Sequence, residues 1–326
     1  MERQLVTARR ISDLRPIEGA DRIELAIVDG WQVVVKKGEY MRGDLAIYFE
    51  IDSAIPAEGV FSFLAERSPK KVVNGRTCHV VRTAKLRGAI SQGLLMPPEE
   101  LGLTTLSEGQ DLTEWAKHKL RVTKYEKPLP ADNGKTEGHF PTHIVRKTDS
   151  ERVQNLTGNW EEIQEYIWVA TEKIDGTSST FAMTEEGLIV CSRNYAIKEG
   201  DNLYWNIARQ YGLDTMPVGY VVQGEIYGEG IQGNKLDVRG KHLAVFNMIR
   251  TKEQWDGELP TVPTYFGMKL PKTIDEAIEQ ADGIKSLINS GRLAEGIVWK
   301  TFETVPCLGR NTFKVISNKW LLKDKS

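Results

Sequence analysis

Two runs of β-favouring residues flank a single Asp-Gly pair near the start of the chain. Arg22-Ile23-Glu24-Leu25-Ala26-Ile27-Val28 precedes Asp29-Gly30, and Trp31-Gln32-Val33-Val34-Val35 follows it. Such a pair between such runs signals a hairpin, because a tight turn needs positive φ values that Asp and Gly tolerate. Gly38 and Gly43 punctuate the next turn, residues 45–51 read as another strand, and Val80-Val81 and Leu94-Leu95-Met96 add more. These short strands, separated by turns, fit a small barrel occupying residues 1–120.

The pattern changes at residues 121–145. Lys127-Pro128-Leu129-Pro130 and Asp132-Asn133-Gly134-Lys135 are polar and rich in breakers, which is a linker composition. Strand-like apolar runs resume at 166–170, 187–191, 220–222, 242–246 and 296–299. Between them, residues 273–289 place Ile274, Ala277, Ile278, Ala281 and Ile284 near helical spacing. Thr273 can cap that helix, with Asp275 and Glu276 in its first turn. Residues 146–326 therefore read as a second domain of mixed α and β structure, and the fold class is α+β.

Composition excludes several classes. The longest apolar runs, such as Leu45-Ala46-Ile47-Tyr48-Phe49, fall far short of the roughly 20 residues of a membrane span. Met1-Glu2-Arg3-Gln4 opens no secretory signal. Cys78, Cys191 and Cys307 form no CxxC pair, which argues against a cysteine-rich zinc module and for a reducing compartment, the cytoplasm. A net charge of -2 does not mark a nucleic-acid binder. Its distribution says more: residues 68–98 hold no acidic side chain but carry Lys70, Lys71, Arg76, Arg82, Lys85 and Arg87. These cations can follow a phosphate backbone, or they can simply be a solvated basic loop.

Two segments of the first domain, Gly19-Ala20-Asp21-Arg22-Ile23-Glu24 and Lys85-Leu86-Arg87-Gly88-Ala89-Ile90-Ser91-Gln92-Gly93-Leu94, resemble the OB-fold modules that bind tRNA in synthetase-associated proteins. In the second domain, Thr171-Glu172-Lys173-Ile174-Asp175-Gly176-Thr177 follows an apolar run, so Lys173 is expected at the end of a strand, facing a cleft. A lysine attacks an electrophile only as the neutral amine, which requires desolvation or nearby positive charge. A lone KxDG is weak evidence. Here it begins an ordered set with Ser192-Arg193-Asn194, Gly224-Glu225-Ile226-Tyr227-Gly228, Val245-Phe246-Asn247, Glu295-Gly296-Ile297-Val298-Trp299-Lys300 and Phe313-Lys314-Val315-Ile316. The set resembles the covalent nucleotidyltransferase superfamily of DNA ligases, RNA ligases and capping enzymes.

That resemblance implies a lysyl-adenylate on Lys173. It assigns nucleotide contacts to Thr171, Glu172, Ile174, Gly176, Arg193, Glu225, Phe246 (stacked on the purine), Glu295, Lys300 and Lys314. Asp175, Glu225 and Glu295 would hold Mg²⁺ or Mn²⁺, directly or through water, and ATP would be the co-substrate.

Within the superfamily, Gly228-Glu229-Gly230-Ile231-Gln232-Gly233-Asn234-Lys235-Leu236 is similar to a segment of RNA ligases. An OB module ahead of the catalytic domain resembles the Deinococcus-type RNA ligase clade. The likeness extends to Lys147-Thr148-Asp149-Ser150-Glu151-Arg152-Val153-Gln154-Asn155, where it implies that Arg152 meets the β- and γ-phosphates. The implied substrate is a 3′-OH/5′-phosphate nick in duplex RNA, with the 2′-OH separating RNA from DNA. Two positions depart from the pattern. Asn247 stands where many ligases have aspartate, and Ile316 stands where the last motif commonly has a second lysine, a role Lys319 could fill from a shifted position. A DNA ligase, a capping-type guanylyltransferase and a non-catalytic RNA-binding protein with a decayed ligase fold remain the alternatives.

Overall fold

In the computed structural model, which describes residues 3–65, 70–126 and 135–323, Asp29-Gly30 turns the expected hairpin. Strands Ile23–Val28 and Trp31–Lys36 pair antiparallel, and Asp29 and Gly30 take φ values of 48° and 76°. Two positive angles in sequence give the turn whose twist matches that of the flanking strands. Asp13–Pro16 completes this sheet. A second sheet orders Val6–Arg10, Leu45–Phe49 and Leu94–Met96, and a third orders Thr123–Lys124, Ser53–Pro56, Arg76–Val80 and Lys70–Val73. Strand alternation supplies the interior: Trp31, Val33 and Val35 are buried, while Gln32 and Val34 between them are only partly so. Trp31 and Tyr48 anchor one apolar cluster, and Ile47, Phe49 and Phe61 anchor the next.

The second half is built on two sheets. Thr136–His139, Tyr195–Ile197, Gly187–Ser192, Thr177–Thr184, Val221–Gly228 and Lys241–Ile249 form an antiparallel six-stranded sheet in that order. Its apolar side takes the helix Leu203–Gln210, capped by the Asn202 side chain, which accepts from the Trp205 amide. The other sheet orders Glu151–Arg152, Arg310–Ile316, Gly296–Val305 and Val169–Lys173. Beneath it Phe313 packs edge-on against Trp168 at 4.8 Å and Trp160 at 5.8 Å, with the helix Ile274–Ala281 sealing the cluster. Lys173-Ile174-Asp175-Gly176 carries the chain from the end of one sheet into the strand Thr177–Thr184 of the other. The two sheets thus converge at this corner.

Three expectations need adjusting. The helix expected over residues 273–289 spans only Ile274–Ala281. Its capping box forms, with Thr273 and Glu276 exchanging hydrogen bonds, but Asp282 leaves the helical region and Gly283 follows at φ 79°. The strand expected at 166–170 lies at Val169–Lys173, because the apolar run includes Ile167, which is 82% exposed. The stretch 121–145 contributes Thr123–Lys124 to the first half and Thr136–His139 to the second, since a short edge strand needs no apolar period. Its most breaker-rich part, 127–134, lies outside the described residues. Among the described residues, no helix is long and apolar enough to cross a membrane.

Candidate active site

Lys173 ends its strand opposite Gly296, and its Nζ lies 2.5 Å from Glu295 Oε2. Glycine is needed at two points for this approach. A Cβ on Gly296 would run into the Val315 carbonyl, and one on Gly176 into the Ile226 carbonyl. Glu225 comes from the neighbouring sheet, on Val221–Gly228 opposite Ser178. Loss of solvent pushes its carboxyl up to about 7, Glu295 and Asp175 push the same way, and Lys173 opposes them. Burial likewise raises Asp175, whose Oδ2 stands 2.9 Å from Lys235 Nζ. The structure therefore brings the three expected acidic residues into the neighbourhood of Lys173. Their negative potential and hard oxygen donors suit a divalent cation that keeps several of its waters. Among the described residues no three such side chains are already gathered around one point.

Cations gather near Lys173 as well. Glu151–Arg152 pairs in parallel with Phe313–Lys314, which sets Arg152 beside Lys314. Lys314 is pushed down to about 7, first by desolvation and then by the positive charges of Lys173, Arg152 and Arg193. Burial also lowers Arg152, whose guanidinium lies 5.4 Å from the Trp31 ring centre of the first half. Its Nη1 is buried without a hydrogen-bond partner, as is Trp31 Nε1. Arg193 is more open and holds Asp149 at 2.7 Å. Cations and carboxylates gathered near Lys173 suit an anionic group that a metal ion also contacts.

The remaining expected residues divide. Lys300, lowered by burial, donates to the Phe246 carbonyl at 2.8 Å, so two motif residues meet through the backbone. Phe246 itself is half-buried. Glu172 faces away from Lys173: one carboxylate oxygen accepts from the Leu287 amide at 2.7 Å, and the other is buried with no protein partner. Thr171 donates to the Val298 carbonyl, and Ile174 packs with Leu236 and Ala244. The side chains of Thr171 and Ile174 are thus committed to the protein itself. Asn247 donates to Gln223 Oε1 at 2.9 Å, which occupies it structurally. Ile316 is buried opposite Gly296, and the Lys319 side chain runs past Gly283, with its amide donating to Asp282.

The basic segment forms two hairpins and stays exposed at all six cations. Lys70, Lys71 and Arg76 belong to one hairpin. Arg82 lies over the Tyr125 ring, and Lys85 donates to the Leu322 carbonyl in the final helix Asn318–Lys323. Arg87 sits at the second hairpin's turn with φ 49°.

Sequence reasoning missed Trp31, Asp149, Lys235 and Trp320. Lys235 had a signal, its place in the Gly-Ile-Gln-Gly-Asn segment. Trp31 and Trp320 reach the site only through tertiary packing.

An RNA ligase family matches residues 167–316, and an OB-fold domain matches residues 5–98. Among solved structures, a mutant of the Naegleria gruberi RNA ligase with AMP and manganese is 33% identical. It matches with a TM-score of 0.75 over 99% of this chain and 100% of its own. A second mutant of that ligase, with ATP and manganese, gives 32% identity and a TM-score of 0.74 over 98% and 100%. The same ligase with pyrophosphate gives 33% and 0.73 over 98% of each chain. No match was found among curated proteins.

Proposed function

The chain belongs to the ATP-dependent RNA ligases that carry an N-terminal OB module, and we propose that it seals 3′-OH/5′-phosphate nicks in duplex RNA with Lys173 as the nucleophile. The observation that carries this reading is the gathering of Lys173 with the carboxylates Glu295, Glu225 and Asp175 and the cations Lys314, Arg152 and Arg193. In the first step the Lys173 amine attacks the α-phosphorus of ATP, an N–P bond forms, and the bond to pyrophosphate breaks. Arg152 and Lys314 carry the charge that builds on the phosphates, the unpartnered Arg152 Nη1 being free to donate to them. Glu225, Glu295 and Asp175 would hold Mg²⁺ or Mn²⁺, which would neutralise phosphate charge. The 5′-phosphate of the RNA then takes the AMP from Lys173, and the 3′-OH attacks that phosphate and expels AMP.

Phe246 and the open Glu172 oxygen stand as contacts for the adenine base, one to its face and one to an amino group. The exposed cations Lys70, Lys71, Arg76, Arg82 and Arg87 follow the RNA backbone, and Lys85 joins them from its helix contact. The three cysteines are free, which suits work in the cytoplasm.

The test is labelling with α-labelled ATP, followed by sealing of matched nicks with RNA or DNA on each side. Lys173→Ala should melt like the wild type and take up no label. A labelled variant refutes the nucleophile, and equal sealing of all-DNA nicks refutes the substrate.

A further inference from the structure

Lys235 stands where three parts of the molecule meet. Its ammonium is 2.9 Å from Asp175 Oδ2 and 4.0 Å from the centre of the Trp320 ring. Asp175 belongs to the corner that follows the nucleophile. Trp320 is buried in the last helix, just beyond the strand that carries Lys314.

The loop that delivers Lys235 is built at a cost. Gln232, Asn234 and Asp237 all take positive φ values of 46°, 46° and 53°, a conformation that is uncommon for residues with a side chain. Asn234 locks the loop by bonding both the amide and the carbonyl of Val238. Ile231 and Leu236 are buried on either side of the lysine. Asn289 holds the Leu236 carbonyl at 2.9 Å, and Arg292 pairs with Asp237 at 2.6 Å. A strained, pinned loop fixes where the lysine can reach, and Trp320 removes room for it to turn aside.

From this geometry we infer that Lys235 is a positioning residue: backed by Trp320, it fixes the Asp175 carboxylate beside the nucleophile. Two consequences follow for Lys173. Asp175 is held by Lys235, which leaves Glu295 as the carboxylate in contact with the nucleophile. One of three crowded negative charges is also balanced by a fixed positive one, so the corner keeps its shape when no substrate is present. The inference rests on the proposed role of Asp175 in adenylation.

A four-protein cycle tests it: wild type, Lys235→Met, Asp175→Asn and the double variant. Each is read by single-turnover formation of the lysyl-adenylate and by melting in metal-free buffer. Lys235→Met should slow adenylation at saturating ATP by about 100-fold, the scale of a misplaced catalytic group, while half-saturation by ATP moves less than about 3-fold. Lys235→Arg should recover most of the rate. The double variant should be no slower than Asp175→Asn, and its melting temperature should match that of Asp175→Asn. If the Lys235→Met loss appears in full on top of Asp175→Asn, or only half-saturation changes, the inference is overturned. Wild-type adenylation by Asp175→Asn overturns the role of Asp175, and the inference falls with it.

Discussion

At the scale of single residues, the site is governed by what burial does to charge. Lys314 keeps its ammonium among other cations and away from water, so its affinity for a proton falls to about 7 from an ordinary value of 10.5. The unfolded chain holds that proton more tightly than the folded one. The stability penalty is therefore complete below pH 7 and fades as pH rises towards 10.5. Lys314→Met should melt above the wild type at pH 6, with a smaller advantage at pH 9, and should lose about 10²–10³ in adenylation rate. A melting advantage equal at both values would contradict this account. The motif lysines and glutamates were legible in the sequence because each sits in a short segment of contiguous residues that resembles a family motif. Lys235 was not, since its partners Asp175 and Trp320 lie on separate elements and only packing joins them.

At the scale of elements, the four-stranded sheet depends on one aromatic stack. Phe313 is fully buried between Trp168, Trp160 and Trp299, on the strand that also presents Lys314. Truncation leaves a cavity that rigid tryptophans cannot close. Phe313→Ala should cost about 3–5 kcal/mol, measured by urea unfolding. A loss below about 1 kcal/mol would mean that the cluster collapses around the gap. Element types were readable where period and turn chemistry agreed, as at Asp29-Gly30 and at the Thr273 cap. Boundaries were less so. Gly283 and Asp282 stop a helix whose apolar spacing continues through Ile284, and Ile167 extends an apolar run beyond the strand it suggests.

At the scale of the whole molecule, the two halves are joined by polar contacts with few alternatives. Glu50, nearly fully buried, accepts from Arg3 at 3.0 Å through both of its oxygens and from Asn155 in the catalytic half at 3.0 Å. Arg152 on Trp31 and Lys85 on Leu322 add two more crossings. None of these was legible in the sequence, because each joins residues far apart along the chain. Lys70 and Lys71, on the first hairpin, are exposed and take no part in these crossings. Replacing Lys70 and Lys71 with glutamine should leave adenylation unchanged. It should lower the slope of nicked-RNA affinity against salt by about 2 on logarithmic axes, roughly one unit for each phosphate that is no longer neutralised. An unchanged slope would remove that hairpin from the RNA path.

The parallel pairing of Glu151–Arg152 with Phe313–Lys314 also dictates when this protein can first work. During synthesis the early sheets have all their partners and can assemble while the ribosome is still translating. The strand bearing Lys173 has no such freedom: its neighbour Gly296–Val305 is made late, and Arg310–Ile316, which completes the sheet, is made later still. A nascent chain stalled before that point holds its first sheets but lacks the strand that completes the sheet of Lys173. That sheet therefore closes only once Arg310–Ile316 has been made.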